Sequence, residues 1–322
     1  MRLLDGPDLG PLRAGNTGTE GVWHFDSGRP GRHVMVSALV HGNELCGAWV
    51  LHDALHRVLH AGLRPACGRW SFVFANLAAF DRFDPADPDA ARCVDTDLNR
   101  LWGAMPWRAA PQACEHHRAL ALEPWVERCD WLLDLHSMHE PGPPLGLVGP
   151  LPHHARQALA LGAPALLVAD AGHRAGTRLR DHGRWGDAAD GEAFALLVEC
   201  GWHGEASSRA VAQDAFVRCL LASGTLAAAD APAGWRLPDP PAQRLLQVTE
   251  AVTVAAGPPP TLARAWRSGE RVPERGTLIG HNGGLPLRTP YDDCVLVMPT
   301  LRHAHPGATL VRLAREQPLP PR

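Results

Sequence analysis

The chain contains no lysine, and all 31 of its basic residues are arginine. A Schiff-base or lysine-nucleophile mechanism is therefore excluded. No run of about eighteen apolar residues occurs, and the opening Met1-Arg2-Leu3-Leu4-Asp5-Gly6-Pro7 lacks the long apolar core of a signal peptide. A cytoplasmic protein without a membrane partner is expected. Excess charge of one sign is also missing: the formal net charge is -3, and no nucleic-acid surface is expected. The eight cysteines form no CxxC pair and lie scattered, several inside apolar patterns, so they read as reduced small hydrophobes. Cys200 follows a candidate catalytic glutamate, but strand alternation points its thiol to the opposite face.

What is present fits an ordinary globular protein: 322 residues, 45% hydrophobic and 20% charged. From residue 33 to about 201, short apolar runs alternate with helical stretches. The runs are Val34–Val40, Trp70–Leu77, Trp131–His136, Ala165–Ala169 and Ala193–Cys200, and their near-continuous apolarity suits central strands. This predicts an α/β fold, a mostly parallel or mixed sheet flanked by helices. A proline-rich stretch from Ala231 to Pro241 then reads as a linker. Beyond it, short β-like segments between glycine and proline turns predict a small β-rich unit. The expected division is a catalytic domain over 1–235 and a β-domain over 236–322.

His41-Gly42-Asn43-Glu44 joins the end of the first apolar run to a helical pattern. Two ligands three residues apart across a strand-to-helix turn can converge on one point. Gly42 suits a tight turn, and Asn43 suits a helix start. His136, in Asp134-Leu135-His136-Ser137, stands at the C-terminal end of another apolar run, the edge where open α/β sheets bind ligands. Two imidazoles and one carboxylate without cysteine describe an open catalytic zinc site, which keeps a position for water. Asp134, two residues before His136 on the same strand face, is placed to orient that imidazole or to serve as a buried structural acid. Between the ligand segments, Arg92-Cys93-Val94-Asp95-Thr96-Asp97-Leu98-Asn99-Arg100 concentrates groups suited to carboxylates and oxyanions. Glu199 ends the run Phe194–Val198, at the same strand-end edge.

Through HGNE, Arg-x-x-Asp-x-Asp-Leu-Asn-Arg, DLHS and Val198-Glu199-Cys200-Gly201, in this order and spacing over residues 33 to 203, the sequence resembles the succinylglutamate desuccinylase and aspartoacylase family. That family has a zinc carboxypeptidase-like fold. The resemblance implies one zinc ion held by His41, Glu44 and His136, with Glu199 as the base for the attacking water. It further implies that Arg92 polarises the scissile carbonyl and that Asn99 and Arg100 hold a substrate carboxylate. The implied reaction is hydrolysis of the amide of a small anionic N-acyl amino acid. Two departures stand out. No arginine falls cleanly at the family position for a second carboxylate, which leaves Arg180, Arg184 and Tyr291 as open candidates. The segment Met138–Pro144 also differs from the short small-residue stretch of the best-known members. A metallocarboxypeptidase acting on short peptides and a non-catalytic binding protein on the same fold are the alternatives. The acyl group, the amine portion and the oligomeric state, a homo-oligomer included, stay open.

Overall fold

A computed structural model describes residues 5–173, 175–186, 190–302 and 304–320. In chain order the elements are β1 (Val22–Asp26), β2 (His33–Ala38), α1 (Leu45–His60), β3 (Arg69–Phe74), α2 (Leu77–Phe80), α3 (Cys114–Val126), β4 (Trp131–Met138), β5 (Leu145–Val148), α4 (Pro152–Leu161) and β6 (Leu166–Ala169). There follow β7 (Phe194–Trp202), α5 (Ser207–Ala222), β8 (Arg244–Thr253), β9 (Thr261–Leu262), β10 (Glu270–Val272), β11 (Leu278–Asn282), β12 (Leu285–Arg288), β13 (Cys294–Val297) and β14 (Thr309–Gln317).

Eleven strands form one mixed sheet in the order β1-β3-β2-β4-β7-β5-β6-β8-β14-β13-β10. At its centre β3, β2, β4 and β7 run parallel, and every residue of β2 and β4 is buried. Burial on both faces is why these strands read as continuous apolar runs. One face carries α1, α4 and α5 over a core that includes Leu51, Leu55, Phe72 and Phe216. The other carries α3 over Met35, Leu132 and Trp102. No helix among the described residues is long and apolar enough to cross a membrane.

The proline-rich stretch does not end the sheet. β8 lies beyond it and pairs in parallel with β6, from Leu166 opposite Arg244 to Ala169 opposite Gln247. β14, β13 and β10 continue the same sheet in antiparallel sense, and a separate antiparallel sheet of β12, β11 and β9 lies wholly within 236–322. Sequence patterning misses β1, β5, β9, β10 and β12, all five residues or shorter and too brief to show a period.

Gly47 sets the distance between α1 and the sheet. A side-chain carbon there would stand 2.8 Å from Leu135 Cβ and 2.9 Å from Ala38 Cβ. Gly47→Val is expected to lower the unfolding free energy by about 1–3 kcal/mol through overpacking. Urea denaturation of both proteins checks this, and an unchanged midpoint would contradict the contact.

Candidate active site

β2, β4 and β7 are parallel, so their C-terminal ends meet at one edge of the sheet. Beyond β2 the chain reverses through Leu39, a fully buried non-glycine residue with φ 59. That left-handed conformation costs on the order of 1–2 kcal/mol. Backbone bonds from Ala75 N to Ala38 O (2.7 Å) and from Asn76 N to Leu39 O (2.9 Å) hold it. Gly42 is required by close approach, because a side-chain carbon there would lie 2.4 Å from the backbone of Ala79 and Phe80. Asn43 is not the helix start that the sequence suggests. α1 begins at Leu45 after Glu44, and the Asn43 amide is buried without a partner among the described residues.

The turn brings His41 and Glu44 against His136. Glu44 Oε1 lies 2.7 Å from His41 Nδ1, and Glu44 Oε2 lies 2.7 Å from His136 Nδ1. All three side chains are buried, and their ligand atoms lie within 4.8 Å of one another. The outer ring nitrogens are also engaged: His41 Nε2 meets Asp97 Oδ1 at 2.9 Å and His136 Nε2 meets Asp134 Oδ2 at 2.9 Å. Burial alone would push the Glu44 carboxyl up, but His136 and His41 hold it well below the usual carboxylate range. Burial would likewise lower His136, yet Asp134 and Glu44 raise it well above the usual imidazole range. The same geometry fits a metal ion. With each Nε2–H donated to a carboxylate, both Nδ1 lone pairs and the Glu44 oxygens face one point, the arrangement that orients histidine ligands.

Glu199 stands opposite His136 in the β4–β7 pairing, so the two lie on neighbouring strands about 5 Å apart. Burial, reinforced by the negative charge of Glu44, pushes its carboxyl up to about 7. Its Oε2 has no hydrogen-bond partner among the described residues. Cys200 turns to the opposite face and joins the core under α1 and α5.

The Arg92–Arg100 loop is gripped from outside by Glu115 of α3. Its carboxylate accepts from the backbone amides of Val94 (2.6 Å), Asp95 (3.1 Å) and Thr96 (3.2 Å) and from Asn76 Nδ2 (3.0 Å). Arg92 donates to Asp97 Oδ2 at 2.9 Å and meets His139 Nε2 at 3.1 Å. Arg92, Asp97, Asn99 and Arg100 line one cleft with His41, Glu44, His136 and Glu199. Asn99 Oδ1 accepts from the Leu179 amide, and Arg100 donates to the Asn99 carbonyl.

The three candidates for a second carboxylate contact lie outside that cleft. Arg180 is buried against Asp170 O and Asp181, Arg184 pairs with Asp130 and Asp190, and Tyr291 Oη meets Thr249 at 2.5 Å. The cleft is lined instead by Arg178 and Arg312, which share Asp170 Oδ2 at 2.9 and 3.0 Å. Arg178 Nη2 is buried without a partner among the described residues. Sequence reasoning overlooked both, although a charged residue amid Leu310-Val311-Arg312-Leu313-Ala314 was a visible signal.

A mixed α/β sheet with a metal-capable His–Glu–His set and a buried carboxylate at its strand ends defines a class of hydrolytic enzyme. Residues 30–214 match the succinylglutamate desuccinylase/aspartoacylase catalytic domain, over half of the chain, and the chain belongs to that family of hydrolases. Its structure is similar to the succinylglutamate desuccinylase from Chromobacterium violaceum, with 20% identity, TM-score 0.66, and coverage of 94% of this chain and 90% of that one. The succinylglutamate desuccinylase from Vibrio cholerae matches with 16% identity, TM-score 0.65, and coverage of 92% and 86%. A succinylglutamate desuccinylase/aspartoacylase from Rhodobacter sphaeroides matches with 18% identity, TM-score 0.62, and coverage of 90% and 87%. At these identities the likeness is one of fold. No curated protein sequence matches significantly.

The Glu115 clamp generates a prediction. Burial raises its carboxyl, but the hydrogen bonds from Val94, Asn76, Asp95 and Thr96 outweigh it and hold its pKa below the ordinary glutamate value. A carboxyl depressed on folding stabilises the protein above its unfolded pKa and loses that contribution as pH falls through the folded one. Glu115→Gln is expected to cost about 1–3 kcal/mol at pH 7. The deficit should narrow below pH ~4.5. Denaturation at pH 7 and pH 4 measures both, and a deficit that widens in acid would refute the clamp.

Proposed function

We propose that the protein is a zinc-dependent amidohydrolase that removes the acyl group from a small anionic N-acyl amino acid. The observation that carries this reading is Glu199, a buried carboxyl with an unengaged oxygen, set across one strand pair from His136. His41, Glu44 and His136 would hold the zinc ion, which when bound polarises a carbonyl and lowers the pKa of water to about 7. Glu199 takes a proton from the attacking water as its oxygen bonds to the acyl carbon. The same carboxyl returns that proton to the amine nitrogen as the carbon–nitrogen bond breaks. Arg92, fixed by Asp97 and His139, donates to the developing oxyanion. Arg100, Arg178 and Arg312 receive the substrate carboxylate, with Asn99 bracing the wall through Leu179. In this reading residues 1–235 supply the metal ligands and the base, while 236–322 supply Arg312 and close one side of the cleft.

The test is a screen of the zinc-loaded protein against N-acetyl, N-succinyl and N-formyl amino acids and short peptides, with amine release as the readout. Release from the N-acyl amino acids supports the reading, and release from the peptides alone moves the assignment to a carboxypeptidase. Glu199→Gln is expected to keep its zinc while losing about 10²–10⁴ in kcat, the usual worth of a general acid–base group. A variant that turns over at the parent rate would sink the assignment of Glu199.

Arg312→Ala is expected to raise KM about tenfold or more with a smaller change in kcat, because the lost contact holds the substrate as well as the transition state. Steady-state kinetics on the best N-acyl substrate settle this, and an unaltered KM would remove Arg312 from the substrate site.

A further inference from the structure

Beyond the metal-capable trio the cleft opens into an apolar recess, lined chiefly by Met138, His139, Pro141, Trp266, Met298 and Pro299. Met138, His139 and Met298 line the cleft as well, so the two spaces are continuous. Met138 follows His136 by two residues on β4 and shares its face, which puts the mouth about 7 Å along the strand from the ligand histidine. We propose that the substrate carries, besides its carboxylate, an apolar group, and that this recess receives it. The proposal rests on the deacylase reading of the cleft and names the substrate class within it.

Three observations point to that occupant. The recess has few free polar groups to offer a second carboxylate. Trp266 Nε1 donates to Ile279 O at 2.9 Å, and the His139 ring nitrogens meet Arg92 and His203. Glu140, also in the lining, pairs with Arg302 at 3.3 Å and so engages a cation beside the recess that an acidic substituent would need. Met298 is a non-glycine residue at φ 49, and its amide donates to Ser268 Oγ at 3.1 Å. Backbone strain kept by the surrounding structure is characteristic of ligand sites. Two thioethers beside an indole make a wall that adapts to branched, linear or aromatic groups. Arg92, Arg100, Arg178 and Arg312 lie in the cleft lining, and among the described residues no arginine lines the recess. A substrate bound in both is therefore anionic at one end and apolar at the other.

The experiment compares kcat/KM of the zinc-loaded protein for the N-acetyl derivatives of methionine, leucine, phenylalanine, glycine, aspartate and glutamate. A second series, N-acetyl-, N-hexanoyl- and N-succinylglycine, tells whether the apolar group belongs to the amino acid or to the acyl chain. In one series the apolar member should exceed its acidic counterpart by at least tenfold. Met298→Ala should cut that ratio fivefold or more, whereas Trp266→Leu, which keeps apolar bulk, should retain most of it. Turnover of acidic substrates with apolar ones inert would overturn the recess and leave the deacylase reading standing. If no substrate turns over, calorimetric binding decides. N-acetylmethionine or N-hexanoylglycine binding at least fivefold tighter than N-acetylglycine, with the difference lost in Met298→Ala, supports the recess, and equal binding of all three, or binding of none, overturns it.

Discussion

Glu44 is buried with both carboxylate oxygens engaged by imidazole nitrogens at 2.7 Å, and a charge so placed costs several kcal/mol unless its neighbours compensate it. The neighbours do not balance with neutral imidazoles. Glu44, Asp97 and Asp134 bring three negative charges, and among the described residues Arg92 and Arg100, both within ion-pair distance of Asp97, bring two positive ones. The remaining excess of negative charge favours a cation at the point that the ligand atoms share. The raised His136 and the depressed Glu44 follow from that charge count.

The surrounding elements keep those groups in register. Parallel β2, β4 and β7 bring His41, His136 and Glu199 to one edge, and the strained reversal at Leu39 with the close backbone approach at Gly42 turns the chain back. Asp97 lies on a loop with little regular structure, yet its position matters as much as that of the ligands. Glu115 supplies the missing rigidity through three consecutive backbone amides, and the Gly42 amide donates to Arg92 O at 3.3 Å. A loop tied at both flanks holds Asp97 against His41 and Arg92 with little entropy left to lose.

Much of this was legible because the chemistry sits next to strand ends that are strongly apolar. HGNE and DLHS each follow a run that could only be a buried strand, and Glu199 closes a third. The parallel core was equally readable from near-continuous apolarity. The opposite wall was not legible. Arg178 comes from a loop and Arg312 from the middle of β14, and they meet only because β8 joins the sheet beside β6 and β14 pairs back on it. No local period encodes that crossing. Asp170, at the end of β6 and between the two guanidinium groups, gave the same strand-end signal as His136 but lacked a recognisable partner nearby in sequence. The helix-start reading of Asn43 failed because the tight approach of Ala79 and Phe80 displaced the first helical turn to Leu45.

The two walls of the cleft differ in chemical character. Arg178, Arg180 and Arg312 cluster around Asp170 and Asp181, so three guanidinium groups face two carboxylates and one positive charge is left over. Burial lowers the affinity of Arg312 for its proton while Asp170 supports it, which is the position of a cation short of one partner. In so desolvated a wall, completing the set with an anion gains more than a surface ion pair would. The far side of the cleft offers sulfur, indole and proline surface with Glu140 in its lining, which disfavours a second anion. One side of the cleft is therefore cationic and the other apolar, with His136 and Glu199 in the same lining.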